Sequence, residues 1–170
     1  MAIQIKSVET KGDFRKFAKF ANKLYKGNKY YVPAMPADEL ATFDSKRNAA
    51  YEFCEAEYYL AYKDGKIVGR VAAIINHKAN EAWKVKQVRF GWIDFIDDME
   101  VSAALLAAVE AFGKAHGMDQ IVGPLGFTDF DPEGMLVEGF DRISTMALIY
   151  NYPYYPEHMT KHGYHKDTGW

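Results

Sequence analysis

The 170-residue sequence predicts a mixed α/β fold, a largely antiparallel sheet with helices on both faces. Three observations predict it. Two strand-like runs within "AEYYLAYKDGKIVGRVAAIINH" meet at Asp64-Gly65, the dipeptide suited to a tight hairpin turn. "QVRFGWIDFID" is apolar on both faces, as a central strand covered on each side must be. Around these strands lie segments whose apolar residues recur at helical spacing, and such mixed orders suggest a partly antiparallel sheet.

The elements follow in order. "IQIKSV" alternates apolar and polar residues and reads as a first strand. Residues 13–25 read as a helix, with Phe14, Phe17, Ala21 and Leu24 on one stripe. "YYVPAMPADEL" is a proline-punctuated connection with a short helix from Pro36 to about Phe43. The hairpin and the third long strand come next, and Gly91 inside that strand signals a bulge or a close approach. Asp97 and Glu100 match a capping box, opening a helix buried along Val101, Leu105, Ala108, Val109 and Phe112 and ending at Gly117. "DQIVGP" reads as a short strand. Residues 142–150 are ambiguous between helix and strand. "YPEHMTKHGYHK" reads as a last helix closing at Gly163, and "YHKDTGW" as the start of one more strand.

Length predicts one domain over 1–170, large enough to bury a real core. A net charge of −2 supplies no general attraction for nucleic acid or an anionic membrane, so neither is expected as a partner. Cys54 is the only cysteine, which suits a reducing cytoplasm. The start lacks an apolar leader and no run is long enough to cross a bilayer.

"GFTDFDPEGMLVEGFD", residues 126–141, is the most particular stretch. Counted from Asp129, it places Asp131, Glu133 and Gly134 where a calcium loop needs them. The twelfth position is then Phe140, which offers no oxygen, so no metal is expected. The alternative is an ordered turn whose aspartates bond their own backbone.

The order of elements, with "GKIVGRVAAIINH", "FGWIDFIDD", "GPLGFTDFDPEGMLVEGFD" and "YNYPYYPEHMTKHGYHK", resembles the GNAT N-acetyltransferase superfamily. It is most similar to the amino-terminal part of longer bacterial GNAT-like proteins, and the resemblance covers essentially the whole chain. The resemblance implies splayed fourth and fifth strands, at residues 87–96 and 119–123, with acyl-CoA (acetyl-CoA) as co-substrate between them. Trp92, Ile93, Phe95, Val101 and Ser102 then fall on the cofactor path. Such proteins seat the CoA pyrophosphate at the next helix N-terminus, on a glycine-containing loop. Here the matching segment is "FIDDMEVSA", without glycine and with Asp97, Asp98 and Glu100. Like charges about 5 Å apart repel by on the order of 1–3 kcal/mol at intermediate dielectric, so donor binding is expected to be weak. The resemblance also places a proton-donating Tyr four residues before the closing Gly. That position is Met159, which leaves Tyr155, or its neighbour Tyr154, as the substitute; the alternative is that the paired tyrosines are packing residues.

Asp94 shares a strand face with Phe90, Trp92 and Ile96. A carboxylate among aromatics suits a general base for an amine; the alternative is a pair with Arg70 or Arg89 across the sheet. Asp129, Asp131, Glu133 and Glu138 are expected at the cleft mouth, facing a polar or cationic acceptor, or else as a self-bonded loop. His158 and His162 sit four apart and read as a solvated helix end rather than metal ligands. Ser144 and Thr145 have no nucleophile context. Two functions remain. One is transfer of an acyl group from acyl-CoA to a small-molecule amine, with a degenerate pyrophosphate loop. The other is a non-catalytic module binding a small ligand or partner, and a homodimer stays open.

Overall fold

A computed structural model describes residues 2–145 and 148–169. One five-stranded sheet runs in the order β1-β2-β3-β4-β5, with β1 Gln4–Ser7, β2 Cys54–Lys63, β3 Lys66–Asn76, β4 Gln87–Phe95 and β5 Gln120–Val122. Strands β1 to β4 pair antiparallel in succession, and β5 is parallel to β4. Helices α1 (Lys11–Leu24) and α2 (Pro36–Phe43) pack on one face of the sheet, burying Phe17 and Phe43 against Tyr58, Leu60 and Ile74. Helices α4 (Met99–Ala115) and α5 (Tyr154–Lys161) pack on the other, where Val101, Leu105 and Val109 meet Val71, Ala73 and Phe95. Burying one such side chain fully contributes about 1.5–3 kcal/mol.

The hairpin turn takes positive φ at Asp64 (53°) and Gly65 (74°), the pattern a two-residue primed turn demands. Thr10 caps α1 two residues earlier than the apolar stripe suggests, by accepting from the Asp13 amide. The cap of α4 is Asp98, not Asp97: its side chain accepts from the Glu100 amide and its charge is held by Lys63. Helix α3 (His77–Trp83) has no sequence counterpart above, because it buries no residue and carries no apolar stripe. Between Gly123 and Pro153 the described residues form turns rather than the helix or strand considered at 142–150; Met146 and Ala147 lie outside the described residues. Tyr164–Gly169 adds no strand.

Two features of β4 position the site. Arg70 pairs with Asp94 and Ala72 with Gly91, so β4 carries one extra residue, a bulge with Trp92 at φ 46°. A Cβ on Gly91 would sit 2.5 Å from the Leu125 carbonyl oxygen, which explains the glycine. β5 pairs with β4 from Gln87–Gln120 to Arg89–Val122, the Leu125 amide donates once more to the Phe90 carbonyl (2.9 Å), and from there to Phe95 no described strand pairs with this edge of β4. This is the splay expected between the fourth and fifth strands.

Candidate functional site

Beyond the bulge, β4 presents Asp94 to the α1/α2 side of the sheet, where the cross-strand alternative holds. Arg70, 3% exposed, donates from Nε to Asp94 Oδ2 (2.8 Å) and from Nη1 to the Phe17 carbonyl (2.9 Å). The same guanidinium reaches Glu39 of α2 at 3.2 and 3.4 Å. Burial opposes the arginine's charge, but Glu39 and Asp94 hold its pKa above the ordinary value. Burial pushes the Glu39 carboxyl up, with Arg70 opposing. Two carboxylates therefore face one guanidinium in a largely dry setting, leaving one negative charge in excess.

Tyrosines complete the cluster. Tyr25, at the end of α1, donates to Asp94 Oδ1 (2.8 Å) and lies 2.8 Å from the Tyr155 hydroxyl, which accepts from the Phe95 amide (2.9 Å). A hydrogen-bonded chain thus runs from the β4 backbone through Tyr155 and Tyr25 to Asp94, Arg70 and Glu39. Burial, then the Asp94 charge, raises both phenols well above 10. Tyr31 is pushed up to about 12 by burial and by Asp94. Tyr25 and Glu39 were not picked out from sequence. Tyr25 looks like the tail of an apolar stripe and Glu39 like an ordinary first-turn acid.

The other predicted residues divide. Trp92 is half-buried on the bulge, while Ile93 and Phe95 are buried in the face that meets α4. Val101 and Ser102 are fully buried, and their amides both point to the Asp98 carbonyl (3.1 and 3.2 Å). The first-turn donors an anion would use are thus largely engaged. Asp131 turns inward and accepts from the Phe127 and Thr128 amides (2.8 and 3.0 Å), the self-bonded geometry. Asp129, Asp131 and Glu133 lie within electrostatic reach of Arg89, which also donates to the Gly126 carbonyl (3.1 Å). This part of the acidic segment therefore sits by Arg89 of β4, and the Phe127 ring beside it packs on Trp92 at 5.9 Å. Glu138 borders a separate recess of about 420 Å³ with Leu136, Arg142 and Leu148.

The solvated-helix reading of His158 is corrected. His158 is 4% exposed, its Nε2 3.0 Å from Asp97 Oδ1 and its Nδ1 2.8 Å from Ser102 Oγ. His162 Nε2 reaches the same Oγ at 2.8 Å. The two imidazoles share one face of α5 and converge on the first turn of α4. Among the described residues no group of three or more His, Cys, Asp or Glu side chains is arranged to hold a metal, and no helix is long and apolar enough to cross a membrane.

No family model matches the chain. It is 32% identical over 162 residues to Protein YghO of Escherichia coli, and 24% identical over 160 residues to the bacterial ceramide synthase of Caulobacter vibrioides. Each alignment takes in nearly all of this chain, which spans about two fifths of each relative (41% and 42%). Among solved structures, a predicted acetyltransferase with acetyl-CoA from Clostridium acetobutylicum superposes with a TM-score of 0.56 at 10% identity, covering 99% of this chain and 93% of that one. The acetyltransferase AAC(6')-Iy, in complex with a CoA-based bisubstrate analogue, gives 0.52 at 17% identity, covering 72% and 78%. The chain has the GNAT acetyltransferase fold.

Proposed function

We propose that this chain is the acyl-transferring domain of an acyl-CoA-dependent N-acyltransferase. The observation that carries the reading is the bulge at Trp92 beside the Arg70–Asp94–Glu39 cluster, on the stretch of β4 that β5 no longer covers. A thioester lying along that stretch, past Trp92, Ile93 and Phe95, meets a site with one excess negative charge. Such a site attracts an ammonium ion, and orienting the amine toward the thioester supplies most of the rate. The bound ammonium first gives one proton to a base, the neutral amine attacks the thioester carbon, and the carbon–sulfur bond breaks as nitrogen sheds its second proton; CoA leaves as a thiolate that takes up a proton from solvent. Glu39 is the better base, because its contacts to Arg70 are longer and burial raises its pKa toward the working range. Asp94, tied on both oxygens, anchors Arg70. Burial and the Asp94 charge push the Tyr155 phenol up, which disfavours its passing a proton to a departing thiolate. Its part is to hold the Phe95 amide.

The name of the Caulobacter relative supports amide formation, since a ceramide is a long-chain amino alcohol acylated on nitrogen. Long-chain amines and acyl groups are therefore the first substrates to try. The test is release of free CoA thiol from acetyl- and palmitoyl-CoA, with primary amines from polyamines to long-chain amino alcohols, and mass measurement of the product. Amine-dependent thiol release with an amide product is expected; no amine-dependent release from any pair overturns the reading.

A second reading, a non-catalytic module, is favoured by the start of α4. Asp98 engages the donors there, Glu100 adds charge, and Lys63 offsets only part of it. Neither acyl-CoA binding nor turnover, in a chain that unfolds cooperatively, would select it.

A further inference from the structure

The edge of β4 that the splay opens is covered by this chain's own side chains. The Phe95 amide donates to the Tyr155 hydroxyl at 2.9 Å, and the Tyr154 hydroxyl donates to the Phe95 carbonyl at 2.6 Å. Both polar groups of one β4 residue, freed when β5 ends at Val122, are thus satisfied by consecutive tyrosines of α5. The Tyr155 ring also stacks on Phe95, with centroids 4.2 Å apart. One turn further along, His158 and His162 grip Ser102 of α4, with Asp97 holding the far side of His158. Helix α5 is therefore fastened at two points, to the open strand edge and to the first turn of the helix that follows it.

We propose that α5 is an autoinhibitory plug, whose tyrosine pair must withdraw from Phe95 before an acyl-CoA can lie along β4. The proposal rests on the acyl-CoA reading above and adds a closed state to it. The arrangement fits this role because the plug imitates a strand. It offers one acceptor and one donor to a single residue's N–H and C=O, as the amide groups of an extended ligand do. The His158–Ser102–His162 clasp sets how much of the population is open. A ligand that binds only the open state shows an affinity reduced by the open fraction.

The test uses the intact chain and acetyl-CoA as the probe. Calorimetric titration compares the unaltered protein with Tyr154→Phe, which removes the bond to the Phe95 carbonyl, and with His158→Asn, which loosens the clasp. Each variant is expected to bind acetyl-CoA about five- to tenfold more tightly, the scale of one hydrogen bond. Amide hydrogen exchange of residues 154–161 in the unaltered protein is expected to speed up when acetyl-CoA saturates it, with α1 unchanged. Equal or weaker affinity in both variants, or binding that leaves α5 protection intact, overturns the plug and leaves the acyl-CoA reading standing. No binding by any of the three proteins overturns both.

Discussion

Arg70 shows how far a single residue can be read. A charged residue inside "GRVAAII" must find a buried partner, and Asp94 on the neighbouring strand is the one it finds. Glu39 and Tyr25 were not legible, because they reach the pair across 31 and 69 positions from elements whose packing decides the contact. Asp94→Asn is expected to cost about 3–5 kcal/mol, the penalty for stranding one half of a buried ion pair, measured by urea unfolding. A loss below about 1 kcal/mol would mean the carboxylate is free for chemistry. Glu39→Gln removes a looser contact and is expected to reduce amine acylation by about 10²–10⁴-fold, with a milder effect on stability. His162 gives a pH signature. Burial, then the neighbouring His158, lowers its pKa from 6.5, so the folded chain favours the neutral ring. That contribution is present above pH 6.5 and is lost as pH falls below it toward the folded pKa. The melting temperature should decline more steeply over this window than in His162→Asn, and parallel declines would remove His162 as the cause.

At the scale of elements, the long regular pieces were legible and the irregular ones were not. The hairpin, β4 and α4 announced themselves through turn chemistry and period. Helix α3 lacked an apolar face, and the described residues between 124 and 153 are held by side-chain bonds to backbone far along the segment, such as Asn151 bracketing both polar groups of Leu136. The glycine in β4 was read as a bulge or a close approach, and both meet there. Gly91→Ala should destabilise by about 1–3 kcal/mol, since the methyl would meet the Leu125 backbone rather than a flexible side chain. Urea unfolding with an unchanged midpoint would refute that account. At α4, Asp98→Ala removes the cap at a cost of about 0.5–2 kcal/mol, yet frees the Glu100 amide and removes one negative charge from the turn. Its expected outcome is a lower melting temperature with tighter acetyl-CoA binding, read by calorimetry.

For the whole molecule, the layered α/β architecture and the splay followed from element order and resemblance, while the closure of the splay did not. Closure depends on α5 reaching Phe95 and the first turn of α4 through its side chains, which no local pattern encodes. A ligand at a hundredfold excess over Kd stabilises by about 2.7 kcal/mol, several degrees for a chain of this size. With acidic groups at the start of α4 and tyrosines on the strand edge, acetyl-CoA at about 1 mM is expected to raise the melting temperature by no more than about 1–2 °C, as for a Kd of about 1 mM or weaker. A shift of several degrees would show that neither feature opposes the donor.

Cys54 opens β2 beneath the Phe127 carbonyl, 4% exposed, its thiol pushed up to about 11 by burial and then shielded only in part by Arg89. At pH 8 such a thiol is almost wholly protonated, and the thiolate is the reactive form. Disulfide reagents that count released CoA will therefore register product with little background from the protein. The same silence makes Cys54 a clock. Its slow labelling in native buffer measures how often the turn carrying Phe127 lifts off the sheet, and the rate can be followed without any substrate in hand.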